Sequence, residues 1–227
     1  MPPATILMRP TIEAFVLTLL VGAACNLAVA QSAAKPSCRP ISERTQEIGC
    51  WILVNQSVGV LPKEPVYWHL YTYPDRARAD AAKRGHETIV ESLGRVWLMS
   101  IAAVGWKAAD GERVAAIGPL PLDLAQNYTA QYMEAIFPPG FHTPVHRHPG
   151  PEAWYTVAGG VCLETPEGKS VGRAREQSGV IVRGGLPMRL SVTGTEQRRS
   201  LVLILHDSSQ PHTVLASDWT PKDLCKN

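Results

Sequence analysis

The chain of 227 residues lacks an excess of charge of either sign: 22 Lys and Arg stand against 20 Asp and Glu, a formal net charge of +2. Nothing in that balance draws it to nucleic acid or to an acidic surface. Among its five cysteines there is no CxxC, so a thiol redox centre is not expected. Internal repeats and low-complexity tracts are absent too, which removes solenoid and array architectures. The apolar run at residues 14–24 is too short for a spanning helix. What is present is 45% hydrophobic residues and 19% charged ones. That is enough to bury a core, in one or two domains at this length.

The N-terminus reads as a leader. Arg9 is the single cationic side chain there, the apolar run follows it, and Ala28-Val29-Ala30 ahead of Gln31 has the A-x-A form of a cleavage site. Residues 1–30 are predicted to be a secretory signal peptide. Its removal would leave no membrane attachment and a periplasmic or secreted protein. An uncleaved anchor using residues 20–30, or a lipoprotein site at Cys25, are the alternatives. Cys38, Cys50, Cys162 and Cys225 remain, an even set that in an exported chain suggests disulfides with three connectivities. Cys38 and Cys50 bracket a short polar loop, so Cys38–Cys50 is the preferred pair. Cys162–Cys225 would then pin the C-terminal tail. Free, buried thiols are the other reading.

Residues 31–110 read as a small α+β module. Strands are predicted at 51–60 and at 66–73, the second aromatic and β-branched. Pro74 and Asp75 open a helix over 76–84, which Gly85 stops. Further strands fall at 88–91 and 95–104, and Asp110-Gly111 marks a hairpin turn. His69 and His86 read as packing or surface residues. Tyr67, Trp68, Tyr71 and Tyr73 form a core face or, alternatively, the contact of a homodimer. From residue 113 the texture changes. Short apolar segments recur at 114–117, 129–137, 142–148, 153–157, 161–164, 179–182, 188–192 and 200–205. Many short strands with turn signals between them imply a β-sandwich or barrel, placed here over 111–215, with 216–227 as a tail.

The chemistry is concentrated in residues 140–159, GFHTPVHRHPGPEAWYTVAG. Residues i and i+2 of a strand face the same way, so His146 and His148 project together. Pro149-Gly150-Pro151 is a turn signal, and a strand returning from Glu152 brings that carboxylate to the same space. Two imidazoles and one carboxylate form a facial metal site with open positions, of the kind that suits non-heme Fe(II).

This segment resembles the first signature motif of the cupin superfamily, G(X)5HXH(X)3–4E(X)6G, with Gly140, His146, His148, Glu152 and Gly159 at its fixed positions. The resemblance implies a double-stranded β-helix, or jelly-roll, barrel. A mainly β protein is therefore expected, a single cupin-type barrel behind the small module. The second cupin motif, G(X)5PXG(X)2H(X)3N, is degenerate. Gly185 matches, while Arg183 stands on the proline, Met188 on the histidine that often supplies a fourth ligand, and Val192 on the asparagine. A thioether is a soft ligand, poor for Fe, Mn or Zn. The predicted metal set is thus His146, His148 and Glu152, since a buried Glu without a cation would be costly; the alternatives are His142 or a histidine from outside the barrel in place of the missing ligand, or a metal-free binding pocket.

Strand parity places Trp154 and Thr156 with Glu152 as pocket walls, joined by Met188. His142, four residues before His146, is assigned to the pocket, although Pro144 interrupts the strand. Glu134 and Tyr132, on a preceding strand, are candidates for general base and acid, with a solvent-facing Glu134 as the alternative. Arg147 and Arg189 should point outward, and His206 and His212 belong to the tail or the barrel rim. The functional expectation is an exported protein holding one divalent transition metal, Fe, Mn, Ni or Zn. It would be a metal-dependent enzyme on a small organic substrate. By resemblance to cupins the reaction is that of a dioxygenase, isomerase or lyase. A non-catalytic sugar or small-molecule binder is the alternative, and copper handling through His146, His148 and Met188 is a third reading.

Overall fold

In the computed structural model, residues 38–226 are described; the predicted signal peptide and the start of the module lie outside them. In chain order the strands are β1 (Arg39–Pro40), β2 (Gly49–Gly59) and β3 (Val66–Tyr73). The helix α1 (Arg76–Ala82) follows, then β4 (Thr88–Ser92), β5 (Arg95–Ala103), β6 (Glu112–Ile117), β7 (Tyr128–Phe137), β8 (His146–Arg147) and β9 (Glu152–Ala158). The last six are β10 (Gly160–Thr165), β11 (Gly168–Arg173), β12 (Val180–Val182), β13 (Arg189–Thr193), β14 (Arg198–Asp207) and β15 (Val214–Leu215). Asp75 caps α1 as its chemistry suggests, its carboxylate accepting from the Arg78 N–H at 2.8 Å.

Two sheets form the barrel. One contains β7-β14-β9-β12, extended past β7 by β2 and β1. The other runs β11-β10-β13, and isolated bridges His142↔Ser191 and His146↔Met188 lay the 141–148 segment along β13. β15 pairs with β8 at its far edge. The orders 7-14-9-12 and 8-13-10-11 are those of an eight-stranded jelly roll. Between the sheets lies an apolar interior from Met133, Trp154, Leu163, Val182, Met188, Leu190, Val202 and Ile204, among others.

The rest of the chain builds onto this barrel. Sheet β4-β5-β3-β6 contributes Trp68, Leu70, Trp97, Met99 and Ile117 to a core shared with Tyr132, Tyr155, Leu201, Leu203 and Leu205 of the barrel. On its opposite side Tyr71, Tyr73 and Leu98 are covered by Ala79 and Ala82 of α1. The aromatic strand β3 therefore feeds two cores: Trp68, Tyr71 and Tyr73 are all buried within the chain itself. The strands do not divide at residue 110 as the sequence suggested. β2 belongs to the barrel sheet through its register with β7, and β6 closes the outer sheet beside β3. The described residues form one compact unit.

Both predicted cysteine pairs are bonded. Cys38–Cys50 joins residues 12 apart, and Cys162–Cys225 joins residues 63 apart. The second fastens the C-terminal segment to β10, where Glu164 accepts from the Lys222 N–H and pairs with Arg189 at 3.2 Å.

Candidate metal centre

His146 opens β8 and His148 directly follows it, and Glu152 opens β9 across the Pro-Gly-Pro turn. The turn is held tightly. The Leu205 N–H donates to the Pro151 carbonyl at 2.9 Å, and the Gly185 N–H to the His148 carbonyl at 2.7 Å. A Cβ on Gly150 would stand 1.8 Å from the Leu205 carbonyl oxygen, so only glycine lets the turn lie this close to β14. Met188 and His146 exchange backbone hydrogen bonds of 2.8 and 3.1 Å. Met188 is thus a wall of the interior directly beside the first histidine.

The three predicted ligands converge. One donor atom of each lies within 4.8 Å of the others. Each imidazole is oriented by a backbone carbonyl. His146 Nδ1 meets the Pro144 oxygen at 2.8 Å, and His148 Nδ1 meets the His212 oxygen at 2.5 Å. A carbonyl only accepts, so the proton sits on Nδ1 in both rings and Nε2 presents a lone pair, as in metal-binding histidines. The His148 lone pair faces an acceptor. His148 Nε2 is 3.0 Å from Glu152 Oε2, and both atoms are buried with no partner but each other. Two desolvated acceptors at that separation repel unless a proton or a cation lies between them. Electrostatics follows the same arrangement. For His146, burial and then the neighbouring His148 lower the pKa. For His148 the cost of burial is outweighed by the Glu152 carboxylate and the His212 carbonyl, and its pKa is raised. The donor set therefore fits a divalent transition metal: two oriented imidazoles and a carboxylate on one side, in a largely apolar interior.

Other expectations divide by strand parity. Trp154 and Thr156 are buried on the interior face, Thr156 accepting from Ser200 Oγ at 3.5 Å. Met188 is 1% exposed in the same interior. His142 is not there. Pro144 breaks the parity, and His142 bonds Ser191 Oγ at 2.9 Å on the outer face of β13. Glu134 and Tyr132 are likewise corrected. They pair across β14 with Leu201 and Leu203, residues of the core outside the barrel, whereas Glu152 pairs with inward-facing Ile204. Tyr132 packs against Trp68 with ring centres 6.5 Å apart, its pKa pushed up by burial. Glu134 is bound by Arg44 Nη1 at 2.8 Å, by Ser92 Oγ at 2.6 Å and by the Leu93 N–H at 3.3 Å. It borders a cleft of about 760 Å³ on that outer side. Neither residue can reach the metal ligands. Arg147 and Arg189 point outward, onto Asp218 and onto Glu164 and Asp223.

Three contributors were not foreseen. His212, read as a tail residue, supplies the carbonyl that orients His148. Gln131 shares a cross-strand row with Ile204 and Glu152, is buried, and has an unpartnered Oε1. Arg198, at the start of β14, is 1% exposed. Period two from Met133 would have turned Gln131 inward. Arg198 escaped because β14 begins two residues before the predicted strand.

No known family model and no curated protein matches the chain. Among solved structures it is similar to the DMSP lyase DddQ from Ruegeria pomeroyi DSS-3, at 20% identity over 38% of this chain and 43% of that one, with a TM-score of 0.33. A cupin-like protein from Thermotoga maritima MSB8 shares 14% identity over 42% of this chain and 70% of its own, TM-score 0.36. A cupin domain from Bordetella pertussis Tohama I shares 21% over 38% and 88%, TM-score 0.30. The chain spans less than half the length of the lyase it aligns with. Strand order, register and the filled first motif, rather than these partial overlaps, carry the assignment: the chain has a mainly β, cupin-type jelly-roll fold.

Proposed function

We propose that the protein is an exported, metal-binding cupin that acts on a small organic molecule inside its barrel. His146, His148 and Glu152 would hold one divalent Fe, Mn, Ni or Zn. Such a centre supplies a Lewis acid with open positions, suited to activating O₂ or polarising a carbonyl or enolate. The chain's own residues do the remaining work. Pro144 and His212 carbonyls fix the two imidazoles. Trp154, Met188 and the surrounding aliphatics exclude water, and Gln131 and Thr156 offer neutral hydrogen-bonding groups to a bound molecule. The reaction class is oxygenase-like, or that of an isomerase or lyase. Two disulfides suit an oxidising compartment, in keeping with export.

One observation carries this reading: the buried His148 Nε2 and Glu152 Oε2, 3.0 Å apart with no partner but each other, need a cation or a proton between them. A second reading, a metal-containing binder without catalysis, is favoured by the placement of Glu134 and Tyr132 outside the barrel. Among the described residues it leaves the interior with no acid or base beyond the ligands and the rim. Metal content of protein purified without added metal, against His146→Ala, tests the shared premise. About one ion per chain, lost in the variant, is expected; no metal in either protein overturns it.

A further inference from the structure

The barrel interior is apolar with one charged exception besides the metal ligands. Successive cross-strand rows on the inner face are Gln131–Ile204–Glu152, Met133–Val202–Trp154 and Ala135–Ser200–Thr156, with Phe137–Arg198 at the far end. Inward positions thus carry His146, His148, Glu152 and Arg198 as titratable or charged groups, with His206 at the rim. Arg198 is 1% exposed, and neither its Nε nor its Nη2 has a partner among the described residues. These two atoms form one edge of the guanidinium, the edge that grips a carboxylate with two parallel N–H donors. The same edge of Arg183 holds one oxygen of Glu167 at the surface, Oε1, at 3.0 and 2.7 Å. Arg198 presents the same edge unpaired among the described residues.

Charge leads to the same place. Among the described residues Glu152 is the one carboxylate on the inner face; its charge also acts on Arg198, and it is committed to the metal set. A divalent cation offset by Glu152 leaves an excess of one positive charge, and Arg198 makes it two. Two uncompensated charges in a desolvated interior are expensive, which favours an anionic ligand.

We infer that the ligand of this barrel is a small carboxylic acid whose carboxylate docks on the Nε and Nη2 edge of Arg198. The inference deepens the metal-site reading and rests on it for the charge count, while the unpaired Arg198 edge stands without it. The Thr156 and Ser200 hydroxyls lie in the adjoining row and suit the approach of a polar ligand. Phosphate is the weaker fit, because a planar carboxylate matches both prongs in one plane.

The test is calorimetric binding of malonate, succinate and glutarate to the metal-loaded protein, with succinamide as the neutral control and inorganic phosphate as a second anion. At least one diacid should bind, succinamide should not, and Arg198→Gln should weaken the diacid by about tenfold or more. Arg198→Lys keeps the charge without the fork and should fall between. Equal affinity in wild type and Arg198→Gln, equal binding of diacid and diamide, no diacid binding, or binding of phosphate alone would each overturn the inference. If Arg198→Gln does not fold, the diacid–diamide contrast in wild type decides alone. Elemental analysis of the same samples separates the two claims: absent metal sinks the metal reading, whereas bound metal with no carboxylate preference sinks this one.

Discussion

Two buried carboxylates in this protein have opposite surroundings. Glu134 is held by Arg44, Ser92 and the Leu93 N–H, whereas Glu152 Oε2 meets only His148 Nε2. The first is a fastening between the outer sheet and the barrel. Glu134→Gln should therefore cost about 2 kcal/mol by denaturant unfolding, the scale of a lost charged hydrogen bond, with metal content unchanged. His69 makes a different point. Buried on β3, it donates from Nε2 to the Ala103 carbonyl at 3.0 Å, while its Nδ1 has no partner. Burial is the main cause that lowers its pKa below the ordinary 6.5, with the Arg113 charge adding and the Ala103 and Ala102 carbonyls opposing. A lowered histidine pKa means that the unfolded chain binds the proton first. Its effect on stability is nil above pH 6.5, is felt as pH falls below 6.5, and levels off below the folded-state value. Melting temperatures between pH 7.5 and 5 should drop less in His69→Gln than in wild type; identical profiles would contradict the assignment.

At the scale of elements, the turn between β8 and β9 decides whether ligands meet. Gly150→Ala would force its Cβ against the Leu205 carbonyl. Moving the turn to relieve that clash should cost about 1–3 kcal/mol and loosen metal binding, read by a competitive chelator titration; unchanged affinity would show that the turn tolerates displacement. This hairpin was also the most legible part of the sequence, because alternating histidines, Pro-Gly-Pro and the returning Glu152 are all local signals. Parity failed where it had to cross an interruption or lacked an anchor. Pro144 turned His142 outward. For Tyr132 and Glu134 the strand itself was recognised, but which face met the barrel depended on the register with β14. That register pairs residues some seventy positions apart, and no local pattern encodes it. The division at residue 110 failed for the same reason: β2 looks like part of the module and bonds to β7 of the barrel.

Over the whole molecule, one barrel is locked by a tail. Cys162–Cys225 closes a loop of 63 residues, and chain-entropy estimates put such a link at about 4 kcal/mol. The double variant Cys162→Ser, Cys225→Ser should lose stability of that order and free the segment carrying Lys222 and Asp223. Because residues 146–152 are also tied to His212 through its carbonyl, it should weaken metal retention as well, by less than loss of a ligand. Stability of the metal-loaded protein should exceed that of the stripped protein, by about 2.7 kcal/mol at a free metal concentration one hundred times Kd. Spacing already suggested both pairs, with Cys162–Cys225 pinning the tail; that the bond lands on β10 is a fact of the fold.

The measurement that bears most directly on all of this is metal stoichiometry. Wild type and His148→Ala would be purified without added metal, checked for folding by near-ultraviolet circular dichroism, and analysed for Fe, Mn, Ni, Zn and Cu. About one ion of the first four per wild-type chain is expected, with near-complete loss in the folded variant. A folded wild type that carries no metal and takes up none on dialysis against each ion would contradict the metal centre.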